Sequence, residues 1–158
     1  MSVDIKVTVR PLPLFSKSGK GRIPFERIAH AVLGKKYELS LVVCADSLAQ
    51  RMNKVYRKKT YAPNVLSFPL SKQEGEIFLN VRAAAREAPY YNGVVVRGEA
   101  RKLRGTELRR MVRNHIAHLF VHGCFHLKGL QHGRIMEGHE RRILRRFGFQ
   151  CLEKSTQE

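Results

Sequence analysis

Three histidines stand in one short run, HGCFHLKGLQH from His122 to His132, with the spacing H-x3-H-x2-G-x2-H. On an α-helix, residues four apart share a face and lie about 6 Å apart along the axis. His122 and His126 can therefore grip one metal ion from the same side. Gly129 follows the second histidine by three residues, where it can adopt the left-handed conformation that ends a helix and reverses the chain. That turn would return His132 as a third ligand. His115 and His118 extend a ladder up the same helix, so a trio containing His118 is the alternative. The ladder gives Gly129 no role, which favours His132 and leaves His118 as a group packed against the site. Three neutral nitrogen donors leave a zinc-like ion with its full charge and an open position, the donor set of a catalytic rather than a structural site.

Metzincin proteases share this scaffold as H-E-x-x-H-x-x-G-x-x-H, with the glutamate as general base. Here Gly123 occupies that position, and glycine cannot accept a proton. A metalloprotease-like hydrolase is therefore disfavoured. Glu76, Glu137 and Glu140 read as structural or solvated carboxylates, and Cys124 as a small buried residue. No proton acceptor is evident from the sequence.

The elements that must position these groups can be read from periodicity and punctuation. A length of 158 residues suits a single domain spanning 1–158. Val3, Ile5, Val7 and Val9 alternate as a half-buried strand rather than a targeting segment. Pro24 opens a helix to about Gly34, with Phe25, Ile28, Ala29 and Val32 at helical spacing. YELSLVVC is a second strand. Asp46 or Ser47 caps a helix carrying Leu48, Met52, Val55 and Tyr56. VLSFPL is a third strand stopped by Pro69, and GEIFLN a fourth. Asn80 caps a helix to about Glu87, before Pro89. The segment from Tyr90 to Gly105 is hard to read, with VVV as a short strand in a basic insertion. A long helix runs from Thr106 through the histidines to Lys128. A last one runs from about Met136 to Phe147 and carries Arg141, Arg142, Arg145 and Arg146 on one face. The pattern predicts an α+β domain: a mixed sheet of about four strands, about five helices and a zincin-like metal-binding helix.

Thirty basic residues against thirteen acidic ones give a net charge of +17. Such an excess calls for a polyanion, and nucleic acid is the usual one. Binding through phosphates would be strongly salt-dependent. The basic segments lack a paired apolar face, which disfavours a membrane partner. Cys44, Cys124 and Cys151 are odd in number and widely spaced, which predicts free thiols in a reducing cytoplasm.

The chain also resembles the YbeY family of metal-dependent endoribonucleases. The family signature is similar to H-G-x-L-H-L-x-G-[YF]-D-H, matched here by HGCFHLKGLQH. An upstream block like Y-R-x-K-x-x-P-T-[DN]-V-L-S-F-P is matched by YRKKTYAPNVLSFP, from Tyr56 to Pro69. A third, like G-[DE]-I-x-[IL], is matched by Gly75 to Leu79. The departures are Gln131 in place of a common aspartate, Leu130 in place of an aromatic, and Ala62-Pro63 in the second block. The resemblance implies one zinc ion per chain held by His122, His126 and His132, and a functional arginine at Arg57. It also implies RNA as substrate, in small-subunit rRNA 3′-end maturation and ribosome quality control, in the cytoplasm or an organelle matrix. Arg57 suits the task, because a guanidinium pairs with phosphate through a planar fork. An RNA- or ribosome-binding assembly factor with a mainly structural metal is the competing expectation.

Overall fold

The computed structural model describes residues 2–9, 21–91 and 105–151. Most of the FSKSGKGR turn and the VVV segment fall outside those residues. The described chain forms β1 (Val3–Val7), α1 (Phe25–Leu33), β2 (Glu38–Cys44), α2 (Asp46–Arg57), β3 (Val65–Ser71), β4 (Glu74–Asn80), α3 (Val81–Tyr91), α4 (Gly105–Leu127) and α5 (Arg134–Arg146). The expected α+β architecture of four strands and five helices is present, and the sheet is mixed. Its order is β1-β2-β4-β3, with β1, β2 and β4 parallel and β3 antiparallel to β4.

Helices cover both faces of the sheet, and the pleat decides what each covers. Leu39, Leu41 and Val43 of β2 and Ile77 and Leu79 of β4 point into the main core with α1, α4 and α5. Val42, Cys44 and Phe78 point the other way, onto Ala49 and the half-buried Leu48 and Met52 of α2. Burial on both faces explains why β2 reads as a near-continuous apolar run. Inside the main core lies α4, whose Ile116, Ala117, Phe120, Val121 and Cys124 are fully buried. His122 and His126 thus ride on a helix anchored in the main core. Among the described residues, no helix is long and apolar enough to cross a membrane.

Helix α1 follows its expected limits, with Pro24 before it, Gly34 at φ +88° after it, and the four expected apolar residues buried. Asn80 caps α3 as expected, its Oδ1 accepting the backbone N–H groups of Arg82 and Ala83 at 3.2 Å each. Several expectations need correction. Strand β1 is an edge strand and mostly exposed rather than half-buried. Asp46 is not a cap. Its carboxylate instead accepts from Arg86 at 2.7 and 2.8 Å and from Asn80 at 2.9 Å, tying α2 to β4 and α3. Val55 and Tyr56 do not face the core but are 54% and 62% exposed. Pro69 does not stop β3, which runs on to Ser71 with a register shift after Pro69, because an edge strand tolerates a missing donor. Pro89 likewise lies inside α3. The turn beyond it is held by Tyr91, whose ring packs against His115 and His118 at centroid distances of 4.6 and 5.3 Å.

Candidate metal centre

The last turns of α4 and the reversal after it bring His122, His126 and His132 together, with one ring nitrogen from each lying within 4.8 Å of the others. The reversal is built as the spacing predicts. Gly129 has φ +93°, its N–H donates to His126 O at 2.9 Å, and Leu130 N–H donates to Phe125 O at 3.0 Å. These bonds satisfy the orphan carbonyls of the helix end. His118 is not part of the trio, so the ladder alternative is not what the fold assembles.

Hydrogen bonds on the far sides of the rings decide which nitrogens are free. His122 Nδ1–H donates to Glu140 Oε1 at 2.6 Å, and His126 Nδ1–H donates to Leu130 O at 3.1 Å. Each ring then presents a bare Nε2, and the two Nε2 atoms face each other at 3.0 Å. Two lone pairs aimed at one point repel unless a cation lies between them. Zinc bonds of about 2.0–2.1 Å in tetrahedral geometry place nitrogens about 3.3 Å apart, so the residues fit such an ion. Burial, then the neighbouring His122 and His132, push His126 below the usual imidazole range. That shift favours the neutral form a ligand must have.

Glu140 is the residue that sequence reasoning missed. The sequence pattern reads it as a structural or solvated carboxylate, yet it is only 5% exposed and bridges two histidines. Besides His122 it accepts from His118 Nε2–H at 3.2 Å, while Tyr91 O–H donates to His118 Nδ1 at 2.7 Å. Every member of the chain Tyr91–His118–Glu140–His122 has one consistent donor and acceptor assignment. Burial works to raise the Glu140 carboxyl, but hydrogen bonds from His118 and His122 outweigh it and hold it at about 2. Tyr91 is pushed up to about 12 by burial and by Glu140 and Glu137, so it remains a donor. The only advance signal was the i, i+3 spacing of Glu137 and Glu140 on the following helix, which any surface helix could show.

Gly123 faces the sheet, not the trio. A Cβ there would lie 2.9 Å from Ser67 Oγ and 3.2 Å from Ile77 Cδ1, and its carbonyl accepts from Ser67 Oγ at 3.1 Å. The position that carries a protease's glutamate is here the contact between α4 and β3.

An open cleft of about 1380 Å³ lies over the three histidines, and Arg57, the last residue of α2, lines it with them. Arg57 is exposed and makes no ion pair with the described residues. Of the cleft's carboxylates, Glu87 is engaged by Asn64 and His115 and Glu140 by two histidines. Glu137 is exposed.

The profile of the endoribonuclease YbeY family matches residues 24–148. The chain belongs to that family. It is 35% identical over 116 residues to the endoribonuclease YbeY of Rhizobium leguminosarum bv. trifolii, covering 70% of this chain and 63% of that protein. It is 34% identical over 133 residues to that of Neisseria meningitidis serogroup B, covering 79% of this chain and 75% of that one. The chain thus spans a little under two thirds of the Rhizobium relative's length. The solution structure of TM1509 from Thermotoga maritima superimposes with a TM-score of 0.56 at 13% identity, covering 90% of this chain and 87% of that one. This likeness concerns the fold.

Proposed function

We propose that this chain is a zinc-dependent endoribonuclease. The observation that carries the reading is the convergence of three imidazoles, two with their Nε2 lone pairs freed by far-side hydrogen bonds, in one open cleft that an arginine also lines. His122, His126 and His132 would hold the ion. Bound there, zinc supplies a Lewis acid for a phosphoryl oxygen and lowers the pKa of water toward about 7. The chain's own groups do the rest. Arg57 grips a phosphate through its planar fork and stabilises the charge that builds on its oxygens. Glu140 and the Leu130 carbonyl keep two of the imidazoles in one tautomer. Gly123 excludes the protease arrangement.

The net charge of +17 and the names of the relatives support RNA as the substrate. Processing of small-subunit rRNA at its 3′ end, with ribosome quality control, belongs to the same reading. So does a reducing compartment, the cytoplasm or an organelle matrix, which suits three free cysteines. A binding factor with a structural metal would need a closed coordination shell, whereas His132 is exposed and the cleft is open above the trio. Metal content and cleavage of a labelled single-stranded RNA test the proposal. His126→Ala is expected to lose both, and Arg57→Ala to keep zinc and lose rate. Cleavage at the wild-type rate by metal-free protein would refute the proposal.

A further inference from the structure

Beyond the cleft, the α2 side of the molecule carries a feature that the metal chemistry does not use. Residues 47–73 contain no acidic residue, while Arg51, Lys54, Arg57, Lys58, Lys59 and Lys72 all fall there. Arg51, Lys54 and Arg57 recur every three residues, forming a row along the exposed side of α2 that spans about 9 Å of its axis. Arg57 lines the cleft. Arg51 and Lys54 line a separate shallow groove of about 340 Å³, with Ser47, Gln50 and Thr60. Thr60 belongs to the groove and its neighbour Tyr61 to the cleft, so a single residue step separates the two concavities.

That step is rigidly built. Gln50 Nε2–H donates to Thr60 O at 2.6 Å, buried Asn53 Nδ2–H to Tyr61 O at 3.0 Å, and buried Asn80 Nδ2–H to Pro63 O at 3.1 Å. The backbone is thus pinned from below, while the Tyr61 side of it projects outward, the residue being 55% exposed. An exposed aromatic on a pinned backbone, with Arg57 in the cleft on one side and Arg51 and Lys54 in a basic groove on the other, is an arrangement that can hold an unpaired base with phosphates on either side. A duplex keeps its bases stacked on each other and offers no face to such a ring.

We propose that Tyr61 is a stacking platform for one base of single-stranded RNA, and that the strand leaves the cleft across it toward Arg51 and Lys54. This inference rests on the ribonuclease reading and adds to it a base-binding residue and a path for the strand. The platform selects for strandedness, and the Arg51–Lys54 groove binds the flanking phosphates without regard to sequence.

The test uses the full chain, a single strand containing 2-aminopurine, and a hairpin-free duplex of the same sequence. Gels confirm that the strands stay intact during the binding measurement. Tyr61→Ala is expected to weaken single-strand binding by about 5- to 150-fold, abolish the 2-aminopurine quench and leave duplex affinity unchanged. Tyr61→Phe is expected to behave as wild type. Alanine keeps the carbonyl that Asn53 holds, so the loop stays in place. Replacing Arg51 and Lys54 with alanine is expected to lower the salt slope by about 1.4, the value for two phosphates on a single strand. The same charge removed at Lys35 and Lys36, which line neither concavity, is expected to leave the slope unchanged. Wild-type cleavage is scored on the same strand. A quench without any cleavage upholds the platform and overturns the ribonuclease reading. Cleavage with Tyr61→Ala binding both forms like wild type overturns the platform alone.

Discussion

Removing Glu140 tests the construction of the metal centre away from its ligands. In Glu140→Ala, His122 Nδ1–H and His118 Nε2–H lose their acceptor at a site only 5% exposed. Nothing then holds the His122 ring with Nε2 toward His126, because the Nδ1–H tautomer has lost its anchor. Loss of such a partner to a metal-ligating histidine costs about 10–100-fold in metal affinity, or about 1.4–2.7 kcal/mol. Glu140→Gln keeps an acceptor for one histidine but turns its amide N–H toward the other, so it should fall between wild type and alanine. The assay is zinc competition against a chromophoric chelator, run beside thermal unfolding of the metal-free proteins. The metal-free variants are expected to fold, with affinities ranked wild type, glutamine, alanine. Alanine protein that folds and binds zinc within twofold of wild type would refute the positioning argument.

Other outcomes follow from single positions. Gly129→Ala forces a side chain into φ +93°, which costs about 1–2 kcal/mol. It should lower both the melting temperature and zinc affinity, because His132 lies beyond that turn; an unchanged melting temperature would contradict this. Gly123→Glu does not create a peptidase, since the new carboxylate points at Ser67 and Ile77; a buried, unpaired charge of this kind costs about 3 kcal/mol or more, visible as loss of soluble folded protein. The Asp46 carboxyl is held at about 2, below its ordinary 3.8, by hydrogen bonds from Arg86 and then Asn80. Its contribution is therefore present above about pH 3.8 and is lost as pH falls toward 2. With both partners exposed it amounts to less than about 1 kcal/mol, and Asp46→Asn should flatten that part of the stability profile in an acid titration.

What the sequence made legible was local. Pro24 and Gly34 punctuate α1, and its four buried residues recur at helical spacing. Asn80 announces α3, and Gly129 announces the return of His132. The misreadings came where partners are distant in the chain. Glu140 meets His122 eighteen residues away, and no pattern on α5 alone reveals that its side chain turns inward. Pro69 reads as a strand end because edge position is a property of the sheet, not of the segment. Val55 and Tyr56 fit an apolar helical stripe, yet the core ends before reaching them. Tyr91 carries α3 past Pro89 only because His115 and His118 wait on α4.

Whether three histidines hold a catalytic zinc ion is decided by titrating zinc into metal-free protein and measuring cleavage of single-stranded RNA at each step. The rate should rise in proportion to added zinc and level off at one equivalent per chain, and His126→Ala should show no rise. A rate independent of zinc, or one that rises equally in His126→Ala, would contradict it.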